Sequence, residues 1–194
     1  MEKIFLIIIY ILTFSSAFAQ KTITVKCDSI YKDKGISLEL KFFNESQNSS
    51  DEEANCTLII TQNLKDRKAV LLKDSIFSSA KQIEFKDYNN DTVKDILVQN
   101  FSDVRSNWTY YLYLFNPKTN RFSKVIGFEE IKNPSYNLKY NIIESHVVSG
   151  TNWVGFYKIK NNKIYDYQIE VIDDGSLKAE KEYQKAIRKI SLKK

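Results

Sequence analysis

The segments Gln82-Ile83-Glu84-Phe85 and Ile96-Leu97-Val98 enclose a polar loop with the sequence Asp87-Tyr88-Asn89-Asn90-Asp91-Thr92-Val93-Lys94-Asp95. Both flanking segments are short and rich in β-branched and aromatic residues, which favours strands over helices. Side-chain oxygen atoms fall at positions 1, 3, 5 and 9 of the loop. Alternate residues of a tightly turned loop face inward, so this pattern predicts a connection between two strands that gathers oxygen atoms at one point.

This spacing is typical of a calcium-binding loop, in which carboxylate, amide and carbonyl oxygens converge on one ion. The predicted ligands are the side chains of Asp87, Asn89, Asp91 and Asp95 and the carbonyl group of Val93. Three carboxylates repel one another in the empty loop, so calcium is expected to order the segment. Thr92 stands where such loops usually carry Gly, and a β-branched residue resists a positive φ. The alternative is a polar turn that holds its shape through its own Asp and Asn side chains and binds no ion.

The first nineteen residues have the pattern of a secretory signal peptide. Lys3 precedes an apolar run over residues 4–12, and Ala17-Phe18-Ala19 supplies a small-x-small cleavage site. The apolar run is too short for a comfortable membrane span, and no later segment is apolar enough to form one. Residues 20–194 are therefore expected to be one β-rich domain, periplasmic or secreted, with no membrane span.

The chain has two cysteines, Cys27 and Cys56, and both lie in the part expected to be exported. In an oxidising compartment such a pair usually forms a disulfide. It would close a loop of about thirty residues and stabilise the fold by roughly 3–4 kcal/mol. The alternative is two buried free thiols.

Period-2 alternation recurs along the chain and predicts a mainly β fold. The clearest strand covers residues 108–115, and turns are predicted over residues 116–120 and 160–163. Short strands at this cadence favour an antiparallel meander of the propeller-like or sandwich type. One short helical turn is expected within residues 128–134.

The C-terminal segment carries the charge of the chain. Residues 178–194 contain seven basic and two acidic residues, and this excess equals the net charge of +5 of the whole sequence. The segment fits either a strand or a helix with Tyr183, Ile187 and Ile190 on one face. No nucleic-acid partner is expected, because the sequence shows no clustered basic and aromatic surface.

Five motifs follow one another between residues 83 and 160. They are a strand entering the Asp-x-Asn-x-Asp loop, a strand–turn–strand unit, a short helical turn, a strand and a Ser-Gly pair, over residues 85–91, 110–122, 128–134, 142–145 and 149–150. Their order resembles the periplasmic inhibitors of invertebrate-type lysozyme and their propeller-like calcium-loop relatives, a family of secreted bacterial β-proteins. The preceding part of the chain shares only the strand character of that family.

In that family, a loop that carries Ser-Gly, followed closely by Tyr, fills the active cleft of the enzyme. The resemblance therefore implies that Ser149, Gly150 and Tyr157 contact a protein partner. Six residues separate Gly150 from Tyr157, which is more than in the family. From the residues alone, Ser149-Gly150 equally fits an ordinary hairpin turn, and Tyr157 then lies on a core strand.

Little in the sequence supports catalysis, and an enzyme is not expected. His146 is the single histidine, and a Ser nucleophile needs a base beside it. The leading hypothesis is a secreted, calcium-stabilised protein that inhibits a peptidoglycan hydrolase, either a lysozyme or the toxin of a rival bacterium, by loop occlusion. The alternatives are an envelope or surface protein with a structural or adhesive role, and a hydrolase that uses paired carboxylates.

Overall fold

The computed structural model describes residues 21–43 and 53–192. These residues form three antiparallel sheets of four strands each, followed by one α-helix. The predicted signal peptide over residues 1–19 lies outside the described residues. Within the described part, no helix has the length and apolar character needed to cross a membrane.

Each sheet is a meander, because strands that are neighbours in the sheet are also consecutive in the chain. The first sheet contains β1 (Thr22–Lys26), β2 (Ile36–Phe42), β3 (Cys56–Asn63) and β4 (Lys68–Ile76). The second contains β5 (Ile83–Lys86), β6 (Asp95–Ser102), β7 (Trp108–Asn116) and β8 (Arg121–Lys124). The third contains β9 (Pro134–Asn137), β10 (Ile142–Val147), β11 (Trp153–Lys160) and β12 (Lys163–Ile172). Four-stranded meanders of this kind are the units of propeller-like folds, and the predicted mainly β, antiparallel architecture is confirmed.

Asparagine residues form both predicted turns. Asn116 Oδ1 accepts hydrogen bonds from the main-chain N–H groups of Lys118 (3.0 Å) and Thr119 (3.1 Å) between β7 and β8. Between β11 and β12, Asn161 and Asn162 have φ angles of 51° and 57°. Two successive positive φ angles give the turn whose twist matches the flanking strands, and Asn tolerates this conformation better than other side-chain-bearing residues.

Apolar side chains join neighbouring sheets into shared cores. Phe115 is 1% exposed and its ring stacks on that of Phe122 at 4.6 Å. Tyr31, which precedes β2, packs against Phe115 at 4.7 Å and donates its hydroxyl to the carbonyl of Lys94 at 2.9 Å. A second set of buried residues, including Phe128 and Ile143, links the second and third sheets. Burial of each such side chain stabilises the fold by about 1.5–3 kcal/mol.

Cys27 and Cys56 are two separate buried thiols, so the predicted disulfide is wrong. The N–H of Cys27 bonds to the carbonyl of Ile36 at one end of β2, whereas Cys56 is paired with Phe42 at the other end. A rise of about 3.3 Å per residue places these ends about 20 Å apart, while a disulfide needs Cα atoms within about 7 Å. Burial raises the pKa of the Cys27 thiol to about 11 and that of the Cys56 thiol to about 12.

Both helical elements lie in segments that fit a helix from the sequence. A 3₁₀-helix covers Phe128–Glu130, as predicted, and the C-terminal segment is the α-helix α1 (Leu177–Ser191) rather than a strand. Ser176 caps α1 by accepting a hydrogen bond from the N–H of Ala179 at 3.1 Å. Ile187 and Ile190 are buried against the third sheet, and the helix covers one face of it.

Candidate functional site

The acidic loop (residues 87–95) is closed by hydrogen bonds from its own main chain. Asp87 Oδ1 accepts from the N–H groups of Asn89 (3.1 Å) and Asn90 (2.7 Å), and its Oδ2 accepts from Thr92 (2.8 Å). Asp91 Oδ1 accepts from the N–H of Val93 at 2.8 Å. Thr92 has a φ of 70°, so the loop takes the sharp turn that Gly usually provides despite the β-branched side chain.

Asp95 is the buried end of the acidic loop. Its Oδ2 accepts from the N–H of Tyr88 at 2.9 Å, and its Oδ1 accepts from the N–H of Phe115 on β7 at 3.2 Å. Its side chain is fully buried. Burial raises the pKa of the Asp95 carboxyl to about 7 against the opposing effect of the two N–H groups, and the negative charges of Asp91 and Asp87 raise it further.

The structure tests whether the predicted ligands fit calcium. Within residues 21–43 and 53–192, no three Asp, Glu, His or Cys side chains meet as a metal-binding group. Asp95 Oδ1 and Oδ2 each accept one main-chain N–H bond, which leaves each oxygen a further lone pair for an ion. Oxygens of Asp87 and Asp91 are likewise bonded within the loop. These bonds hold the turn in shape, and an ion in the acidic loop would use the remaining lone pairs of the same oxygens.

The predicted contact residues Ser149 and Gly150 lie at the hairpin tip (residues 148–152), which connects β10 to β11. Ser149 donates its N–H to Asn152 Oδ1 at 3.0 Å, and its hydroxyl donates to the carbonyl of Thr151. Gly150 is exposed, and a Cβ atom built on it meets nothing within 4 Å. The hairpin tip therefore presents backbone and small side chains to solvent on a turn that its own polar groups hold in shape.

Tyr157 does not join this tip. It lies on β11 opposite Ile143, and its ring packs against the buried residues between the second and third sheets. It lies four positions along the extended strand from Trp153 at the base of the hairpin, which is about 13 Å. Burial raises the pKa of the Tyr157 hydroxyl, and Asp166 adds to this effect. Tyr157 therefore lies on a core strand, as expected if Ser149-Gly150 is an ordinary hairpin turn.

Asn107 is a structural anchor that the sequence analysis did not identify. Its side chain is 2% exposed and uses both donors and both acceptors. Nδ2 donates to the carbonyl of Val148 (2.9 Å) and to Asp103 Oδ2 (2.8 Å). Oδ1 accepts from the N–H of Val148 (2.8 Å) and from Asn133 Nδ2 (3.1 Å). The Asn-x-Thr pattern at this position gave no indication of such a role.

His146 belongs to a polar cluster between the third sheet and α1. Its Nε2 lies 3.2 Å from Ser135 Oγ and 3.4 Å from Glu144 Oε2. Glu144 Oε1 also accepts from Tyr183 (2.5 Å) and Asn137 (2.7 Å). Burial opposes the charge of Glu144, but the bonds from His146, Tyr183 and Asn137 prevail, and its pKa is lowered.

This cluster does not have the geometry of an activated nucleophile. A catalytic histidine uses one ring nitrogen for the nucleophile and the other for the orienting carboxylate. Here Nε2 faces both Ser135 and Glu144. The bond to Glu144 raises the pKa of His146, which favours the charged imidazolium over the neutral base.

Comparisons with known proteins add little to this geometry. A scan against protein-family models finds no match, and neither does a search of curated proteins, so no family match supports the resemblance to lysozyme inhibitors. One solved structure that matches is a type IV secretion system related protein from Xanthomonas. It is 15% identical, with a TM-score of 0.45, over 82% of this chain and 92% of that chain. A likeness of this size carries no conclusion about function.

Proposed function

We propose that this chain is a secreted binding protein that inhibits a peptidoglycan hydrolase, of the lysozyme type or a rival bacterium's toxin, by occluding its substrate cleft. The observation that supports this proposal is the hairpin tip. Val148 and Gly150 are exposed there, no side chain intervenes at Gly150, and the Asn107 side chain holds Val148 by two hydrogen bonds to its main chain. A pre-formed protrusion loses little conformational entropy when it enters a cleft.

The hairpin tip also has suitable chemistry for a glycan-binding cleft. Such clefts hold catalytic carboxyl groups and hydrogen-bonding groups for sugar hydroxyls. The hydroxyl oxygen of Ser149 can still accept a hydrogen bond from such a group, and the absence of a side chain at Gly150 permits close backbone approach. Tyr157 lies too far along β11 to act beside the tip, and it has no part in this proposal.

We propose separately that calcium binds the acidic loop through Asp87, Asn89, Asp91, the carbonyl of Val93 and Asp95. Its support is electrostatic: the salt bridges found between described residues use other carboxylates, and the charges of Asp87 and Asp91 raise the pKa of buried Asp95. When bound, calcium would compensate this negative charge and stiffen the connection between β5 and β6. Inhibition by the hairpin tip does not require it.

The experiment is a titration of purified lysozymes of several classes and of peptidoglycan hydrolases with the mature chain. Inhibition of one of them at stoichiometric amounts is expected. Gly150→Trp should abolish the inhibition without changing the melting temperature, because the new side chain points into open space. Thr119→Trp, in the exposed turn between β7 and β8, is the matched control and should inhibit like the wild type.

Three outcomes would contradict the proposal. Full inhibition by Gly150→Trp would show that the hairpin tip does not enter the cleft. No inhibition of any hydrolase, together with tight binding of the chain to cell envelopes, would favour a structural or adhesive role. Turnover of a glycan by the chain alone would favour a hydrolase.

A further inference from the structure

We infer that the hairpin tip is one half of a two-part binding surface, whose other half is the Arg105 loop (residues 103–107), and that Arg105 pairs with acidic groups of the partner's cleft. This inference rests on the proposed function and adds a second contact element and a charge requirement to it. The Arg105 loop connects β6 to β7, so it comes from a different sheet than the hairpin tip.

The Arg105 loop, like the hairpin tip, is held by hydrogen bonds among its own residues. Asp103 Oδ1 accepts hydrogen bonds from the N–H groups of Arg105 (2.9 Å) and Asn107 (3.0 Å), and Ser106 closes the turn with an N–H bond to the carbonyl of Asp103 (3.0 Å). Hydrogen bonds from Asn107 hold the pKa of Asp103 at about 2, so this carboxylate stays ionised at any working pH. The loop is therefore pre-formed, and its outer residues are not free to collapse onto the surface.

Asn107 couples the Arg105 loop to the hairpin tip. The same side-chain amide that bonds to Asp103 also pairs with both the N–H and the carbonyl of Val148. Asn133 supports the amide from the other side and bonds through its own Nδ2 to the carbonyl of His146 at 2.9 Å. Two loops that share one buried, fully bonded side chain present their outer residues at a fixed spacing.

The exposed residues of the Arg105 loop are suited to a concave, acidic partner. Val104 has a relative exposure of 103%, and Val148 at the start of the hairpin tip is 45% exposed. Arg105 is exposed and forms no salt bridge with any described residue. A guanidinium group offers two parallel N–H donors to a carboxylate, and glycan hydrolases carry a pair of carboxyl groups in the cleft. The partner is therefore a hydrolase whose cleft is acidic and wide enough for both loops.

The test uses Arg105→Glu and Arg105→Ala in the hydrolase assay, with Arg67→Glu as the matched control. Arg67 is an exposed arginine in the turn between β3 and β4. We expect Arg105→Glu to raise the inhibition constant at least tenfold, while Arg67→Glu leaves it unchanged. Inhibition by the wild type should weaken as salt rises, and Arg105→Ala should reduce that salt dependence.

Asn107→Ala tests whether Asn107 couples the two loops. The measurement is amide hydrogen exchange at Val148, which a direct contact between Asn107 and the partner would not change. Amide hydrogen exchange at Val148 should speed up in Asn107→Ala but stay unchanged in Arg105→Ala, while both variants inhibit less well. If the wild type inhibits and Arg105→Glu inhibits equally well, this inference is overturned and the proposed function stands. If the wild type inhibits no hydrolase, both fall together.

Discussion

The carboxyl group of Asp95 accepts a hydrogen bond from the main-chain N–H of Phe115, which joins the end of the acidic loop to the neighbouring strand β7. Both residues are buried, and Phe115 is also at the centre of the aromatic contacts between the first and second sheets. The charge state of Asp95 is therefore linked to the packing of the core and not only to the acidic loop.

The pH dependence of stability should report this link. Since the pKa of folded Asp95 is raised from 3.8 to about 7, the folded state holds this proton more tightly than the unfolded chain. Its contribution favours folding at low pH and is lost as the pH rises from about 4 to about 7, by at most about 4 kcal/mol. In chelator, the unfolding free energy from urea titrations should fall across this window for the wild type but much less for Asp95→Asn. Parallel curves for the two proteins would contradict the assignment.

Calcium should raise the melting temperature if it binds the acidic loop. A ligand that binds only the folded state stabilises it, and above the dissociation constant the stabilisation grows with the logarithm of the calcium concentration. Asp87→Ala should remove the increment, because it deletes the first predicted ligand, while Asp166→Ala on β12 should preserve it. Identical melting curves in calcium and in chelator would show that the loop is held by its own hydrogen bonds alone.

The mainly β fold could be predicted because its signals are local. Alternation along β7 and the asparagine-rich turns at residues 116–120 and 160–163 are set by neighbouring residues. Strand β9 was not predicted, since it has four residues, begins with Pro134 and shows no alternation. Pro is tolerated there because it occupies the first position of the strand.

The sites depend on contacts between distant residues, which explains where the predictions differ from the structure. Loop spacing predicted that Asp95 faces the acidic loop, but it gave no sign that the Asp95 oxygens also accept hydrogen bonds from the N–H groups of Tyr88 and of Phe115. A Ser-Gly motif located the hairpin tip, whereas Asn107, 41 residues before Val148, could not be linked to it without the fold. The cysteines were paired on composition, while strand register separates them.

Reduction should have no effect on stability, because no disulfide joins Cys27 and Cys56. The melting temperature with and without a reducing agent should be the same, and alkylation of the unfolded protein should modify two thiols. In the native state both thiols should react slowly, since burial hides them and their raised pKa values leave little thiolate at neutral pH. Reaction of fewer than two thiols after unfolding without reductant would contradict the structure.

His146 should titrate above its ordinary pKa of 6.5, because Glu144 accepts a hydrogen bond from the charged ring. As the only histidine of the sequence, it gives a single Cε1–H resonance that can be followed by NMR. Glu144→Gln should lower the titration midpoint of His146, whereas the control Glu180→Gln on α1 should not.

The stability of the fold should also depend on pH through this pair. The stabilising effect of charged His146 is complete below about pH 6.5 and is lost as the pH rises through its raised pKa. Because the pKa of Glu144 is lowered, its own contribution is present above about pH 4.5 and is lost on acidification. The pair therefore stabilises the packing of the third sheet mainly between about pH 4.5 and the raised pKa of His146. A His146 midpoint that does not respond to Glu144→Gln would show that the two side chains do not interact in solution.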